Sequence, residues 1–117
     1  MALPYSPVRK SNNFFFVSGH LPVDGQGVVQ GGTAGEQAKL VLENLGKTLE
    51  ANGLSNADVV KTTVFVTDIS CYAEVNAVYE AFFTQTPPQP FPARSFIAVK
   101  ALPKNALVEI EAIAARG

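Results

Sequence analysis

Cysteine and histidine are nearly absent. Cys71 and His20 are each the sole residue of their kind among 117. A lone cysteine excludes an intramolecular disulfide, and one histidine beside it leaves no Cys- or His-based metal cluster. A basic excess is also missing. Nine Lys and Arg against ten Asp and Glu give a net charge of −1. No positive field draws a phosphate backbone, so nucleic acid is not an expected partner. The strongest apolar run, Phe14 to Val17, is far too short to span a bilayer. The start, Met1-Ala2-Leu3-Pro4, lacks the charged segment and apolar stretch of a secretory signal. The expectation is a cytoplasmic chain with no metal, no cofactor and no membrane.

What remains is an ordinary apolar content of 47% with only 16% charged residues. That composition excludes disorder and suits a single domain over residues 1–117. A chain of this size buries only about 65% of its unfolded surface. With so few charges, the remainder leaves apolar surface for another subunit to cover.

Along the chain, Phe14-Phe15-Phe16-Val17-Ser18 reads as a buried strand stopped by Gly19 and Pro22. Asp24-Gly25-Gln26-Gly27 is a turn, with a short return strand at Val28-Val29. Thr33 opens a helix with a capping box closed by Glu36. Ala38, Val41, Leu42, Leu45 and Leu49 form its apolar stripe, and Asn52-Gly53 ends it. Val59 to Thr67 is a Val- and Thr-rich strand. Ser70 is the candidate cap of a second helix carrying Tyr72, Val75, Tyr79, Phe82 and Phe83. The segment Pro87-Pro88-Gln89-Pro90-Phe91-Pro92 is a stiff loop, because proline fixes φ and removes a donor. Strands at Arg94–Lys100 and Leu107–Ala115 flank a turn at Leu102-Pro103-Lys104-Asn105. The order ββαβαββ is α+β, with two helices able to cover one sheet face.

Strand side chains alternate between faces. Val108, Ile110, Ala112 and Ala114 make one clean apolar face, as do Val60, Thr62, Val64 and Val66, with Ile97 and Val99. The second face is expected to carry Lys61, Phe65, Arg94, Phe96, Glu109 and Glu111. It is too polar for a core and too aromatic for open solvent, which points to a subunit interface. A solvated face with scattered aromatics is the plainer alternative.

Arg94, just beyond the proline loop, is a residue type that grips a carboxylate with two parallel bonds. Glu109, expected on the same side, can position a water or relay a proton. From spacing alone, a surface ion pair is the preferred reading of Arg94, and an ion pair with Lys61 is the plain alternative for Glu109. Ser18 and Gly19 end a strand where backbone groups can approach a ligand closely. Ser18 lacks a nucleophile-elbow context. His20 reads as a loop residue. Cys71 sits at a helix start, where the helix dipole favours a thiolate, but with no partner base identifiable a plain capping-region thiol is expected. The remaining glycines are turn formers with no phosphate-binding fingerprint.

Several stretches match a known family in order. They are Pro4-Tyr5-Ser6-Pro7, Phe16-Val17-Ser18-Gly19-His20-Leu21-Pro22, and Val60 to Asp68. They continue with Val75-Asn76-Ala77-Val78-Tyr79, Phe82-Phe83, Phe91-Pro92-Ala93-Arg94-Ser95, Leu102-Pro103-Lys104 and Val108-Glu109-Ile110-Glu111-Ala112. Over nearly its whole length the chain resembles the RidA/YjgF family of reactive-intermediate (enamine/imine) deaminases. The resemblance implies a chorismate-mutase-like α+β fold with a mixed sheet, and a homotrimer with ligand clefts between subunits. It implies metal-free hydrolysis of 2-imino acids to 2-oxo acids and ammonia, or, as the alternative, a trimer that binds small carboxylates without turnover. By the same resemblance, Arg94 binds the substrate carboxylate and Glu109 orients the attacking water. Tyr5, Ser18, Gly19 and Asn76 line the cleft. Phe96 stands where the family usually has a small residue, often Cys, so its ring is expected to reshape the cleft. His20 stands where Gln is common, and Leu3 where Gly commonly precedes Pro-Tyr.

Overall fold

A computed structural model describes residues 3–84 and 89–117. Pro87 and Pro88 of the expected proline loop lie outside the described residues.

The N-terminal strand β1 (Val8–Ser11), which the sequence pattern does not announce, forms a hairpin with β2 (Phe14–His20). The two-residue turn places Asn12 at φ 53°, a left-handed conformation that asparagine tolerates better than most residues. β2 runs through Gly19 rather than stopping before it, and it is only half-buried. Phe14 and Phe16 are 46% and 45% exposed, whereas Val17 is buried. The expected return strand at Val28-Val29 is a single bridge between Val23 and Val29.

Helix α1 (Ala34–Ala51) forms as its pattern dictates. The Thr33 side chain accepts from the Glu36 N–H at 3.1 Å while Glu36 accepts from the Thr33 N–H, so the box closes in both directions. All five residues of the expected stripe are buried. Strand β3 (Val59–Val66) follows, then α2 (Tyr72–Phe83), β4 (Ala93–Ala98) and β5 (Val108–Ala115). Ser70 does not cap α2, whose N-cap is Cys71 with no side-chain cap bond; Asp68 caps the short 3-10 turn Ile69–Cys71 before it, accepting from the Ser70 N–H at 2.9 Å.

The sheet order is β1-β2-β5-β3-β4. The β3–β4 pair is parallel and the others antiparallel, so the sheet is mixed. A parallel pair needs a crossover, and α2 supplies it. Both helices cover one face. Leu42, Leu45 and Leu49 of α1 and Val75, Tyr79 and Phe83 of α2 close over Val64, Val66, Val108, Ile110, Ala112 and Ala114. Each fully buried large aliphatic contributes about 1.5–3 kcal/mol from area removed from water.

The β3 register departs from simple alternation. Val59 pairs with Ala114 and Lys61 with Ile113, an irregularity that puts an extra residue in β3. Val59 is therefore buried and Val60, expected on the core face, is 45% exposed. Among the described residues no helix is long and apolar enough to cross a membrane.

Candidate active site

Residues opposite each other on neighbouring strands share a sheet face. Phe65 is paired with Glu109, Thr63 with Glu111, and Lys61 with Ile113. These residues lie on the face the helices leave open, as expected. Arg94 and Phe96 do not join them. Arg94 is paired with Thr62, and Phe96 with Val64, both buried beneath the helices. Ile97, expected on the core face, is instead opposite Phe65 and 43% exposed. The physical reason lies in α2, whose aromatic side chains extend over the edge strand and cover Phe96.

The seven sequence-derived candidates therefore fall into two groups. On the helix side, the Arg94 guanidinium carbon lies 4.7 Å from the Tyr79 ring centre, 5.2 Å from Phe96 and 5.6 Å from Tyr72. Three aromatic faces attract the cation and fix its orientation. Its Nη2 donates to the Tyr72 hydroxyl at 3.3 Å. No carboxylate pairs with it, since among the described residues the only ion pair is Arg116–Asp58. A cleft of about 630 Å³ opens there, lined by Arg94, Asn76, Tyr79, Phe91 and Pro92. Phe96 packs against the core and meets Tyr72 edge-on, with ring centres 4.7 Å apart.

The second group gathers on the open face. Ser18 and Gly19 form a bulge in β2, between the Val17–Ala112 and His20–Ile110 pairs. A Cβ at Gly19 would lie 2.9 Å from Cδ of Glu109 and overlap its carboxylate. The glycine thus lets the Glu109 carboxylate lie against the bulge. Ser18 Oγ donates to the Ser6 carbonyl at 2.7 Å, tying the bulge to the segment that carries Tyr5. Tyr5, Ser18, Phe16, Lys61, Thr63 and Glu111 line a cleft of about 540 Å³. Burial first, and then the neighbouring Glu111, push the Glu109 carboxyl above the usual carboxylate range. Lys61 does not pair with it. Its Nζ donates to the Thr62 carbonyl at 2.9 Å and to Ser95 Oγ at 3.4 Å.

The two singular residues are structural. His20, at the end of β2 and not in a loop, has Nδ1 2.9 Å from the Ser18 carbonyl and Nε2 2.7 Å from Thr48 Oγ1. The carbonyl can only accept, so Nδ1 carries the proton and Nε2 accepts from the hydroxyl. Burial lowers its pKa and keeps it neutral. Burial likewise raises the Cys71 thiol pKa, in keeping with a plain thiol at the helix start. Among the described residues no cluster of His, Cys, Asp and Glu could hold a metal ion.

A family model described as endoribonuclease L-PSP matches residues 1–116. The 2-iminobutanoate/2-iminopropanoate deaminase of Salmonella typhimurium is 45% identical over 97% of this chain and 88% of its own. The crystal structure of the YjgF gene product of E. coli superposes with a TM-score of 0.89 at 45% identity, over 97% of this chain and 89% of that one.

The chain belongs to the RidA/YjgF family.

Another RidA/YjgF relative, E. coli TdcF, has been solved with bound serine. It is 39% identical with a TM-score of 0.90, covering 100% of this chain and 91% of that one. Other relatives of comparable identity carry only the RutC family name. Within this RidA/YjgF chain, Tyr72 and Tyr79 are site neighbours that the motif matching missed. They share a helix face with Asn76 at positions i, i+4 and i+7, and that spacing is the signal that would have found them.

Proposed function

We propose that this protein is a 2-imino acid deaminase, acting on 2-iminobutanoate- and 2-iminopropanoate-type substrates. The observation that carries the reading is the Arg94 guanidinium, boxed by aromatic rings, open to a cleft that Glu80 also lines, and in no ion pair among the described residues. Deaminase-named relatives at about 45% identity support it.

The two groups of site residues face away from each other, so one subunit does not complete a site by itself. A homotrimer resolves this. One subunit contributes Arg94, Asn76 and the aromatic box, and its neighbour contributes Glu109, Gly19, Ser18 and Tyr5 from its open face. That face carries Phe14, Phe16 and Ile97 at 43–46% exposure, apolar surface suited to burial between subunits.

The chemistry asks little of the protein. A protonated 2-imino acid has an electrophilic C=N carbon. Arg94 holds the carboxylate by two parallel bonds. Glu109, ionised, accepts a proton from water as the oxygen adds to that carbon. The elevated proton affinity of its half-buried carboxylate suits it to this step. The proton then passes to nitrogen, Glu109 takes the remaining proton from the adduct's hydroxyl as the C–N bond breaks, and ammonia leaves with a 2-oxo acid. Positioning supplies most of the acceleration. The test generates 2-iminobutanoate in situ and compares wild type with Arg94→Ala. Accelerated 2-oxobutanoate release by wild type alone is expected, and equal release by both contradicts the reading.

A second reading, a trimer that binds small carboxylates without turnover, is favoured by Phe96 and by the serine held in TdcF. It predicts 2-oxobutanoate binding in calorimetry and no release above buffer in the same assay. An RNA-directed activity fits poorly with a net charge of −1. No RNA binding at low salt is expected.

A further inference from the structure

Tyr72 stands beside Arg94, 46% exposed, on the first turn of α2. Its ring is fixed from two sides, edge-on to Phe96 at 4.7 Å and beside the guanidinium. The polarity of its contact with Arg94 is not open to choice. A guanidinium has donors only, so in the 3.3 Å contact the phenolic oxygen accepts. The hydroxyl hydrogen therefore points away from Nη2 and is left to donate elsewhere. The same bond orients the guanidinium. Tyr79 does not compete for this task, because its hydroxyl is buried in a 2.6 Å bond to Thr62 Oγ1. The Asn76 amide, and after it the Arg94 charge, hold the Tyr72 phenol below the ordinary tyrosine range, which strengthens it as a donor.

We propose that Tyr72 is a substrate-binding residue whose hydroxyl donates a third hydrogen bond to the carboxylate gripped by Arg94, so that the site selects ligands with a free α-carboxylate. This rests on the reading of Arg94 as a carboxylate site. Tyr72 accepts from Arg94 on one side and donates to the same anion on the other, so guanidinium and phenol form one clamp. A ring that merely stacks on Arg94 would need no hydroxyl, and this separates the two roles.

Tyr72→Phe keeps the ring and removes only the hydroxyl. With 2-oxobutanoate as the probe, calorimetry on the full chain is expected to show Kd weakened about tenfold, as for loss of a bond to a charged group. In the deaminase assay, KM for 2-iminobutanoate is expected to rise about as much, with kcat within about twofold. Thermal unfolding is expected to stay within about 2 °C of wild type. An unchanged Kd in Tyr72→Phe, undiminished binding in Arg94→Ala, or no 2-oxobutanoate binding by wild type would each overturn the clamp. Weakened binding in a protein that never turns over imine keeps the clamp and removes the deaminase. Normal turnover with equal Kd does the reverse.

Discussion

Arg94 and Glu109 stand on opposite faces of the same sheet. Arg94 lies across from Thr62 and Glu109 across from Phe65, an even and an odd position of β3. Side chains on alternate positions of a strand point apart. On the proposed reading, a reaction that uses both groups draws them from two subunits.

Arg94→Lys is expected to fail nearly as badly as Arg94→Ala. A lysine carries the charge but neither the planar fork nor the flat face that three aromatic rings hold. Both variants are expected to lose roughly 10²-fold in kcat/KM for 2-iminobutanoate while circular dichroism is unchanged. A lysine variant near wild type would mean that only charge matters.

Glu109→Gln is expected to separate activity from stability. A folded-state carboxyl pKa above the unfolded value stabilises the fold when protonated, and that stability is lost as pH rises through the folded value. Burial raises Glu109 in this sense. At pH 7 the ionised residue thus opposes folding, and the glutamine variant should melt no lower than wild type. Its kcat is expected to fall roughly 10²–10⁴-fold. The acid limb of the wild-type kcat/KM profile should lie above the usual carboxylate range. A limb at or below that range contradicts the assignment.

Gly19→Ala tests the fit of the bulge to Glu109. The added methyl overlaps the end of a flexible side chain and no backbone, so the carboxylate moves and the fold persists. A displacement on the order of 1 Å is expected to lower kcat roughly 10²-fold with little change in Tm. Full activity would show that the carboxylate position is not critical.

Thr62 and Tyr79 are expected to behave as a coupled pair. Their hydroxyls meet at 2.6 Å under α2, Thr62 fully buried and Tyr79 nearly so. Thr62→Val or Tyr79→Phe strands one polar group and should cost about 1–3 kcal/mol in denaturant unfolding. The double variant should recover much of that, giving a clear coupling energy. Additive losses would argue against the bond.

The two helices, and Lys61, Phe65, Glu109 and Glu111 on the open face, are legible in the sequence because each rests on a local pattern, whereas the candidate site residues rest on the resemblance. The Thr33–Glu36 box and the α1 stripe are patterns within one element. What sequence alone misplaced depends on register. One extra residue in β3 exchanges Val59 for Val60, and a one-position error moves a whole strand to the wrong face. The face of Arg94–Ala98 is decided only by its pairing, since Phe96 and Ile97 are equally apolar and the pairing of Arg94 with Thr62 settles which points to the core. β1 escaped notice because Val8–Ser11 is short and mostly polar, and its pairing with β2 is a tertiary fact.

Subunit complementation tests the two-subunit site most directly. Arg94→Ala and Glu109→Gln subunits, each nearly inactive alone, are unfolded, mixed in equal amounts and refolded together. If every site takes Arg94 from one subunit and Glu109 from the next around a ring of three, each mixed trimer regains one intact site. The mixture should then recover about a quarter of the wild-type rate. A mixture no more active than its two parents would place both residues in one subunit's site and contradict the account.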